Sequence, residues 1–415
     1  MMEPIKKNDP FAAMRLIEYR NLLLGRFLFI MGLRMMGTLV GWWIYNLTDD
    51  PFAIGLIGLS EVLPAISFSL YAGHVIDTSE KRKLLLRGVF FYAIAASLMI
   101  FLSSNSATDT FHKHTITLFI YAIIFCTGII RAFSGPVFGV LLAYIVPRHH
   151  LQNATTWNQG TWLTASVIGH ATGGFLIGLI GIHFTLIFIF CLIVIAFIVF
   201  LKLSAKPSMN VKNDTRTWDS VKEGLGFVFK TKELLGAISL DLFAVLFGGA
   251  VAMVPVYARD ILKVGPEGFG FLNGASDIGS IIIVIILTLY PLKHKQGRTL
   301  LYAVAGFGVC IIVFGLSKYF LLSFFALLVG GMVDGVSVVI RGTITQLKTP
   351  DHMRGRVMSV NSMFINSSNE LGQFESGVAA KLLGTVTSVV FGGIMTLFVV
   401  GTTWVKAPAL RKMEY

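Results

Sequence analysis

Long apolar runs that recur along the chain are the feature that most constrains its fold. A helix needs about 20 apolar residues to cross the hydrocarbon core of a bilayer. Because lipid offers no partner for backbone N–H and C=O groups, such runs must fold as helices. The sequence therefore predicts an all-α membrane protein with twelve transmembrane helices. We place them near residues 21–46, 52–76, 84–103, 115–146, 153–180, 183–203, 234–258, 267–291, 299–317, 320–347, 357–383 and 385–405.

Composition supports this class and argues against others. Charged residues make up 13% of the chain, against about 25% in soluble proteins. The net charge of +12 comes from basic residues beside apolar runs, which indicates membrane topology rather than nucleic-acid binding. Cys126, Cys191 and Cys310 lie inside apolar runs and predict free, buried thiols. No cleavable signal is visible in the polar residues 1–20, so the first run is expected to remain a membrane helix.

The basic residues also predict the orientation. An even number of crossings puts both termini on one side, and most of the 34 Lys and Arg residues lie in segments on that side. Positive charge is enriched in cytoplasmic loops. We therefore expect a multi-pass protein of the plasma membrane, the inner membrane of a bacterium, with both termini cytoplasmic.

One long polar stretch, Ser204 to Lys232, divides the chain. It predicts an amino-terminal bundle of six helices over 1–203, a cytoplasmic linker over 204–233 and a second six-helix bundle over 234–415. Apolar residues of the second part of the linker fall near one helical face, which predicts an amphipathic helix on the membrane surface.

An internal repeat relates the two bundles. When the sequence is shifted by 203 residues, glycines in the fourth and fifth runs coincide with glycines in the tenth and eleventh. A proline, a histidine and an asparagine coincide as well: Pro147 with Pro350, His149 with His352, and Asn158 with Asn361. Two pseudo-symmetric halves joined by a linker are typical of transporters that rock around a central site.

The segment GHVIDTSEKRK, which starts at Gly73, joins the second and third runs. Glycine permits a tight turn, Asp77 can cap backbone amides, and basic residues such as Lys81 and Arg82 hold the segment on the cytoplasmic side. The segment resembles the signature between helices 2 and 3 of the major facilitator superfamily, although Ser79 replaces its second glycine.

The resemblance extends over nearly the whole chain and is strongest to the efflux branch that contains macrolide exporters and the enterobactin exporter. The stretches that carry it are YNLTDDPFAIGLIGLSEVLPA from Tyr45, EGLGFVF before the seventh run, VPVYARDILKVGPEGFGFL from Val254, and TPDHMRGRVMSVNSMF from Thr349. In this superfamily the motif aspartate joins charges of the opposite half when the outer side is open. The resemblance therefore implies an inner gate made by Asp77 with Arg354 and Arg356.

Charged residues inside the predicted helices are the candidates for function. A charge at mid-bilayer costs about 2.5 to 3.5 kcal/mol, so each must be paired or face a water-filled cavity. We expect the charges of the two halves to face each other across a central cleft, or alternatively to brace each half internally. They are Arg26, Arg34, Glu61 and Arg131 in the first half, and Asp241, Asp277, Asp334, Arg341, Glu370 and Glu375 in the second.

Arg131 is the best supported of these, because IIRAFSGPVFG resembles the helix 4 motif of the superfamily. The resemblance implies a role in proton transfer through a neighbouring carboxylate, and a structural salt bridge is the alternative. Asp334 occupies the equivalent position of the repeat, so pseudo-symmetry predicts it at a similar depth on the other side of the cleft. Glu61, close to the helix-disturbing Pro64, is expected to take a proton from outside.

The second half offers several carboxylates. Asp334 and Arg341 are seven residues apart, about 10 Å along a helix, which predicts no direct contact without long side chains. Glu370 and Glu375 point in different directions, and we expect Glu370 to face the cavity.

The remaining charges leave alternatives open. Asp241 and Asp277 are predicted either to line the cavity or to pair with Arg341. Arg34 is expected to pair with a carboxylate, with contact to a substrate anion as the alternative. His170 could carry protons, but we favour a packed, hydrogen-bonded residue.

Together these observations predict a secondary transporter that works by alternating access and exchanges protons for an amphipathic small molecule such as a drug or a siderophore. Alternatives are a lipid or lysolipid flippase, a divalent-metal transporter, and a non-transporting receptor. No phosphate-binding loop, catalytic triad or Cys/His metal spacing is present, so we expect no enzyme activity, no cofactor and no metal site. The expected partners are a small-molecule substrate, protons and the bilayer, and the protein is expected to be a monomer.

Overall fold

The computed structural model describes residues 11–205, 217–290, 292, 294–350 and 353–414. Within these ranges the chain forms helices and short turns and no strand. This confirms the all-α prediction. The amino-terminal half comprises α1 (Ile17–Thr48), α2 (Pro51–Thr78), α3 (Lys81–Leu102), the short α4 (Asn105–Thr110), α5 (Lys113–Ser134), α6 (Val137–Ile145) and α7 (Leu151–Leu201).

The carboxy-terminal half follows the linker helix α8 (Thr217–Lys230). Its helices are α9 (Lys232–Phe247), α10 (Val254–Val256), α11 (Gly265–Leu289), α12 (Gln296–Leu316), α13 (Phe320–Lys348), α14 (Arg354–Leu383), α15 (Thr385–Lys406) and α16 (Pro408–Arg411). The crossing predicted over 234–258 is less regular than expected. After Phe247 it continues through a 3-10 turn at Gly249–Met253, α10 and a π turn at Tyr257–Ile261.

The number of crossings agrees with the prediction. In the described part of the chain, ten helical stretches are long and apolar enough to cross a membrane. One contains α7, whose 51 residues would extend about 76 Å at 1.5 Å per residue. Gly181, with a φ of 78°, breaks α7 into two crossings. The twelfth is α14, which has 30 residues but a more polar sequence. The twelve-helix prediction is therefore confirmed.

The apolar core lies between the helices of each half, and large buried side chains such as Tyr19, Phe29 and Phe200 fill it. All three cysteines are free, as predicted. The expectation that they are buried was wrong for Cys126 and Cys191, whose side chains are exposed on the helix surface. A membrane helix presents apolar residues to lipid as well as to the core, so an apolar run does not show which side a thiol faces.

The turn between the second and third crossings is tighter than predicted. α2 continues to Thr78 and α3 begins at Lys81, so Gly73 lies inside a helix. The side chain of Glu80, the residue before α3, accepts a hydrogen bond at 3.2 Å from the backbone N–H of Arg82. Helix capping here comes from this glutamate, while the side chain of Asp77 lies outside the described part of the structure.

The linker contains the predicted helix, α8, and residues 206–216 before it lie outside the described ranges. α8 packs on α14 of the carboxy-terminal half. The Glu223 carboxylate accepts a hydrogen bond from Arg356 on α14, and a Cβ atom on Gly224 would lie 3.1 Å from the Arg356 carbonyl oxygen. The proposed domain boundary at 203 falls just after α7, and the one at 233 falls at the start of α9.

The two halves meet along two helix pairs, α2 with α14 and α7 with α11. Glycines allow these helices to approach closely. A Cβ atom on Gly55 would lie 2.9 Å from the Cα atom of Gly377, and one on Gly174 would lie 2.6 Å from the Cα atom of Gly270. With twelve crossings, both chain termini lie at one end of the bundle, the terminal end; the other is the distal end.

Candidate functional site

A central cavity of about 570 Å³ lies between the two halves. Helices α1, α2, α5, α7, α11 and α14 all contribute to its wall. Much of the wall is apolar and aromatic, as drug-sized binding sites generally are. The charged residues of the wall are Arg26, Arg34, Glu61, Arg131 and Glu370.

Arg131 connects the halves at the centre of this cavity. Its Nη1 atom donates to Glu61 on α2 of its own half and, at 2.9 Å, to Oε1 of Glu370 on α14 of the other half. Glycines bring the helices together at this point: a Cβ atom on Gly128 would lie 2.6 Å from the Glu61 carbonyl oxygen, and one on Gly58 would lie 2.4 Å from that of Glu370. One guanidinium is thus shared by two carboxylates, one from each half.

The charge that meets Arg131 across the cleft is therefore that of Glu370. Pseudo-symmetry predicted that Asp334 lies at a similar depth on the other side of the cleft. Asp334 lies outside the lining of the large cavity, and its Oδ1 atom is 3.8 Å from Arg341 Nη2 on the same helix. Seven residues separate this pair, and the contact is made by a long side chain, as the prediction required, because the arginine extends along the helix. The repeat preserves the helix arrangement, but each half points its charges differently.

Arg341 also contacts the carboxylate of Asp241 on α9, and both side chains are largely buried. Of the two alternatives for Asp241, the structure places it as a partner of Arg341. With Asp334, these residues form a brace inside the carboxy-terminal half, away from the lining of the large cavity. Glu375, five residues beyond Glu370, is also outside that lining.

A second polar contact between the halves involves Asp277 on α11. Its Oδ2 atom accepts a hydrogen bond from Ser166 Oγ at 2.5 Å and lies 3.7 Å from His170 Nε2, both on α7. His170 Nδ1 lies 2.8 Å from the Thr38 hydroxyl on α1. Asp277 is thus a partner of α7 and not of Arg341, and His170 is packed and hydrogen-bonded.

Arg34 lines the cavity, and no carboxylate of the described residues lies within 4.0 Å of its guanidinium, so the expected ion pair is not found among them. Its guanidinium carbon lies 4.8 Å from the centre of the Trp162 ring on α7. Such a cation–π contact is an attractive but incomplete substitute for a counter-ion. Arg26, two turns earlier on α1, donates to Asn158 and lies over the ring of Phe138.

At the distal end, contacts that the sequence analysis did not identify join the halves. Arg259 donates to the Asp49 carboxylate, to Asn46 Oδ1 at 3.1 Å and to the Tyr45 carbonyl oxygen at 3.3 Å. The Tyr45 hydroxyl in turn donates to Asp260. The paired acids of YNLTDD and the Arg-Asp pair of VYARD were visible signals, but the pairing needs two segments that are about 210 residues apart.

Other contacts also join the two halves at the distal end. Lys381 Nζ lies 3.3 Å from the Asp50 carboxylate and 4.7 Å from the centre of the Phe52 ring. Deeper in, the rings of Trp42 and Phe269 stack with centroids 5.7 Å apart. We call the ion pairs of Arg259 and Lys381 the distal cluster. It holds the two halves together at the end away from the termini.

At the terminal end, Lys81 and Arg82 of the motif between α2 and α3 make contacts within the amino-terminal half. Lys81 Nζ donates to the Ser79 carbonyl oxygen at 3.1 Å. Arg82 Nη2 donates to the Leu201 carbonyl oxygen at 2.7 Å, which joins the start of α3 to the end of α7. These bonds fix the ends of helices within the amino-terminal half.

The implied inner gate is only partly described. Arg356 contacts Glu223 of the linker helix. Gly73 is described only as part of α2, and the side chains of Asp77 and Arg354 lie outside the described part of the structure, so the pairing of Asp77 with the other half stays a prediction. Across the residues whose placement is described, no group of three or more His, Cys, Asp or Glu side chains is arranged to hold a metal ion.

The fold and the cavity define a class of protein: a helical membrane protein with two related halves around a charged central cavity, as in secondary transporters. A sequence model of the Major Facilitator Superfamily matches residues 22–373. The chain therefore belongs to the major facilitator superfamily, a family of transporters, as its motifs predicted.

Individual relatives are distant. The chain is 24% identical over 391 residues to the enterobactin exporter EntS of Shigella boydii serotype 4, covering 92% of this chain and 89% of that protein. It is 21% identical over 346 residues to an uncharacterized MFS-type transporter, YfmI of Bacillus subtilis, covering 81% of each.

Solved structures show the same fold. A POT family transporter superposes with a TM-score of 0.74 at 12% identity, covering 95% of this chain and 96% of that one. A mutant of the nucleoside transporter NupG superposes with a TM-score of 0.72 at 15% identity, covering 94% and 99%.

Proposed function

We propose that this transporter exports an amphipathic small molecule from the cytoplasm in exchange for protons. The observation that carries the proposal is the Arg131 guanidinium, which is shared by Glu61 and Glu370 across the two halves. A charge shared between moving bodies can couple protonation to motion, because a proton on either carboxylate removes one of the two ion pairs.

Glu370 is the carboxylate whose protonation would matter most for the motion. Its bond to Arg131 is the one that crosses between halves, whereas the bond to Glu61 stays within one half. A proton arriving at Glu370 releases the cross-half bond and lowers the cost of separating α14 from the amino-terminal half. Proton loss restores the bond and favours the arrangement described above.

The distal cluster and the positive-inside rule support export as the direction of transport. Basic residues surround the terminal end, which we assign to the cytoplasm. The cluster of Arg259 and Lys381 then closes the outer side, and the cavity receives its substrate from the cytoplasm. Export is also what the enterobactin exporters among the relatives are named for.

Reconstituted vesicles with an acidic lumen test this proposal. Three naphthalene probes of matched size serve as cargo: the anion naphthalene-2-sulfonate, the neutral naphthalene-2-sulfonamide and the cation 2-naphthyltrimethylammonium. At least one is expected to accumulate in the lumen, and a protonophore should abolish the accumulation. Protein-free vesicles report passive entry.

Glu370→Gln gives the sharper comparison. This variant should still exchange labelled for unlabelled probe across the membrane, because the cavity remains, but should no longer respond to the pH gradient. Arg298→Gln, on an exposed surface at the start of α12, is a surface control and should behave as wild type. Gradient-driven accumulation by Glu370→Gln at the wild-type rate would contradict the assigned role.

A further inference from the structure

Two cavity arginines have no carboxylate partner, and they indicate the chemistry of the cargo. The guanidinium carbon of Arg34 lies over the face of Trp162, 4.8 Å from the ring centre. Arg26 donates one hydrogen bond, to Asn158, lies 5.2 Å from the centre of the Phe138 ring, and has a buried Nε atom with no partner. Throughout the described residues, no carboxylate oxygen lies within the 4.0 Å ion-pair distance of either guanidinium.

The rest of the described wall neutralises only part of their charge. Its three arginines and two glutamates leave a formal net charge of +1, and both glutamates are bound to Arg131. Asp277, which lies outside the wall, attracts Arg34 electrostatically, but its Oδ2 atom accepts a hydrogen bond from Ser166 and lies 3.7 Å from His170 Nε2. Uncompensated charge at membrane depth is costly and marks a site that a ligand or ion completes.

We propose that the cavity binds an amphipathic molecule that bears an acidic group, and that Arg34 holds that group. Guanidinium forms strong paired hydrogen bonds with carboxylate, sulfonate and phosphate oxygens. Arg26 is eight residues away, about 12 Å along α1, and offers a donor to a second acceptor on a longer molecule. The apolar body of the ligand packs against the aromatic wall, which includes Phe29, Tyr92, Phe138 and Phe269.

This inference deepens the proposed function, since it names the class of cargo, but its test needs no transport. Binding is measured at equilibrium on the full chain in nanodiscs at one pH, so that a failure of proton coupling cannot affect it. The probes are the sulfonate, the sulfonamide and the trimethylammonium compound described above. An anionic lysolipid, lysophosphatidylglycerol, is compared with zwitterionic lysophosphatidylcholine to separate a lipid headgroup from a soluble acid.

Wild type is expected to bind the sulfonate at least tenfold more tightly than the sulfonamide, because hydrogen bonds to charged groups are about twice as strong as neutral ones. Arg34→Gln should lower the sulfonate affinity by about tenfold, the loss expected when one charge-assisted hydrogen bond is removed. The sulfonamide affinity should change by less than about twofold. Arg34→Lys keeps the charge and should restore part of the preference. Arg298→Gln should change neither affinity.

The outcomes separate cleanly. If lysophosphatidylglycerol alone binds in an Arg34-dependent way, the acidic-group site stands and its ligand is a lipid headgroup. If the sulfonate and sulfonamide bind equally, or the cation binds best, the inference is overturned even where the vesicles show proton-coupled flux. Size-exclusion profiles and Arg34→Lys distinguish a folding defect from loss of the anion contact.

Discussion

The cross-half bond between Arg131 and Glu370 predicts how strongly the two halves are held in the distally closed arrangement. Glu370→Gln keeps the size of the side chain and removes its charge. The bond joins Arg131 Nη1 to Glu370 Oε1 at 2.9 Å, with the side chains of arginine and glutamate 40% and 10% exposed. The substitution therefore weakens one charge-assisted contact between the halves and leaves the helices otherwise intact.

The geometry bounds the free energy that the contact between Arg131 and Glu370 contributes. Two unit charges 4 Å apart interact by about 4 kcal/mol at an effective dielectric of about 20. The exposure of Arg131 and its second partner, Glu61, reduce that value. Hydrogen bonds to charged groups contribute about 1.5 to 3 kcal/mol net, and every 1.4 kcal/mol is a factor of about ten. The distally open population should rise by roughly ten- to a hundredfold.

Spin-label distance measurements check this expectation. Labels at Asn105 and Leu382, both exposed near the distal end and in different halves, report the separation there. The three native cysteines are first replaced by alanine. The distance distribution of Glu370→Gln should shift toward longer distances at a pH where wild type stays mainly closed.

Glu375→Gln is the matched control, because it changes the same residue type on the same helix outside the cavity lining. It should leave the distances unchanged. In a double-mutant comparison, Glu370→Gln should have little further effect in an Arg131→Ala background. An unchanged distance distribution in Glu370→Gln, or an equal effect in both backgrounds, would refute the assigned coupling.

Two further perturbations separate the distal cluster from the internal brace. Arg259→Gln should lower the population closed at the distal end by less than about fivefold, because exposed ion pairs contribute about 1 kcal/mol or less. The effect should be larger at low than at high salt, because salt screens exposed charges. Label distances measured across a salt series check this. Asp241→Asn should destabilise the protein by about 3 kcal/mol, since Arg341 is left as a buried charge with only the more distant Asp334. Thermal unfolding measures this loss, and retention of the wild-type pH response in the surviving protein would show that the brace takes no part in coupling.

The fold was largely predictable from the sequence because the bilayer imposes a simple rule. Apolar runs long enough to cross it must be helices, so their number follows from length alone. Errors occurred where a local backbone feature overrides the run. Pro136 divides one crossing into α5 and α6, and the continuous helix through Gly73 shortens the turn before α3.

The pairing of charges was less predictable. The sequence indicated which ionisable residues lie at membrane depth. Helical periodicity showed that Glu370 and Glu375 point in different directions, and the position of Glu370 near mid-depth favoured it. The sequence did not show that Arg131 would meet Glu370, because this contact depends on glycines of α2 that let α14 approach. A repeat offset aligns backbone positions and carries no information about which way a long side chain extends.

The sequence by itself determined that this chain is a twelve-helix transporter with two related halves. The features that did so are its apolar runs and the positions of its glycines, prolines and charged residues. Only the tertiary structure decided which charges are neutralised and which are left for a ligand. The reason is physical: the solvent of a membrane helix is set by its own sequence, whereas the partner of a buried charge is set by side chains from other helices, a hundred residues or more away in the cases of Arg131 with Glu370 and Arg341 with Asp241.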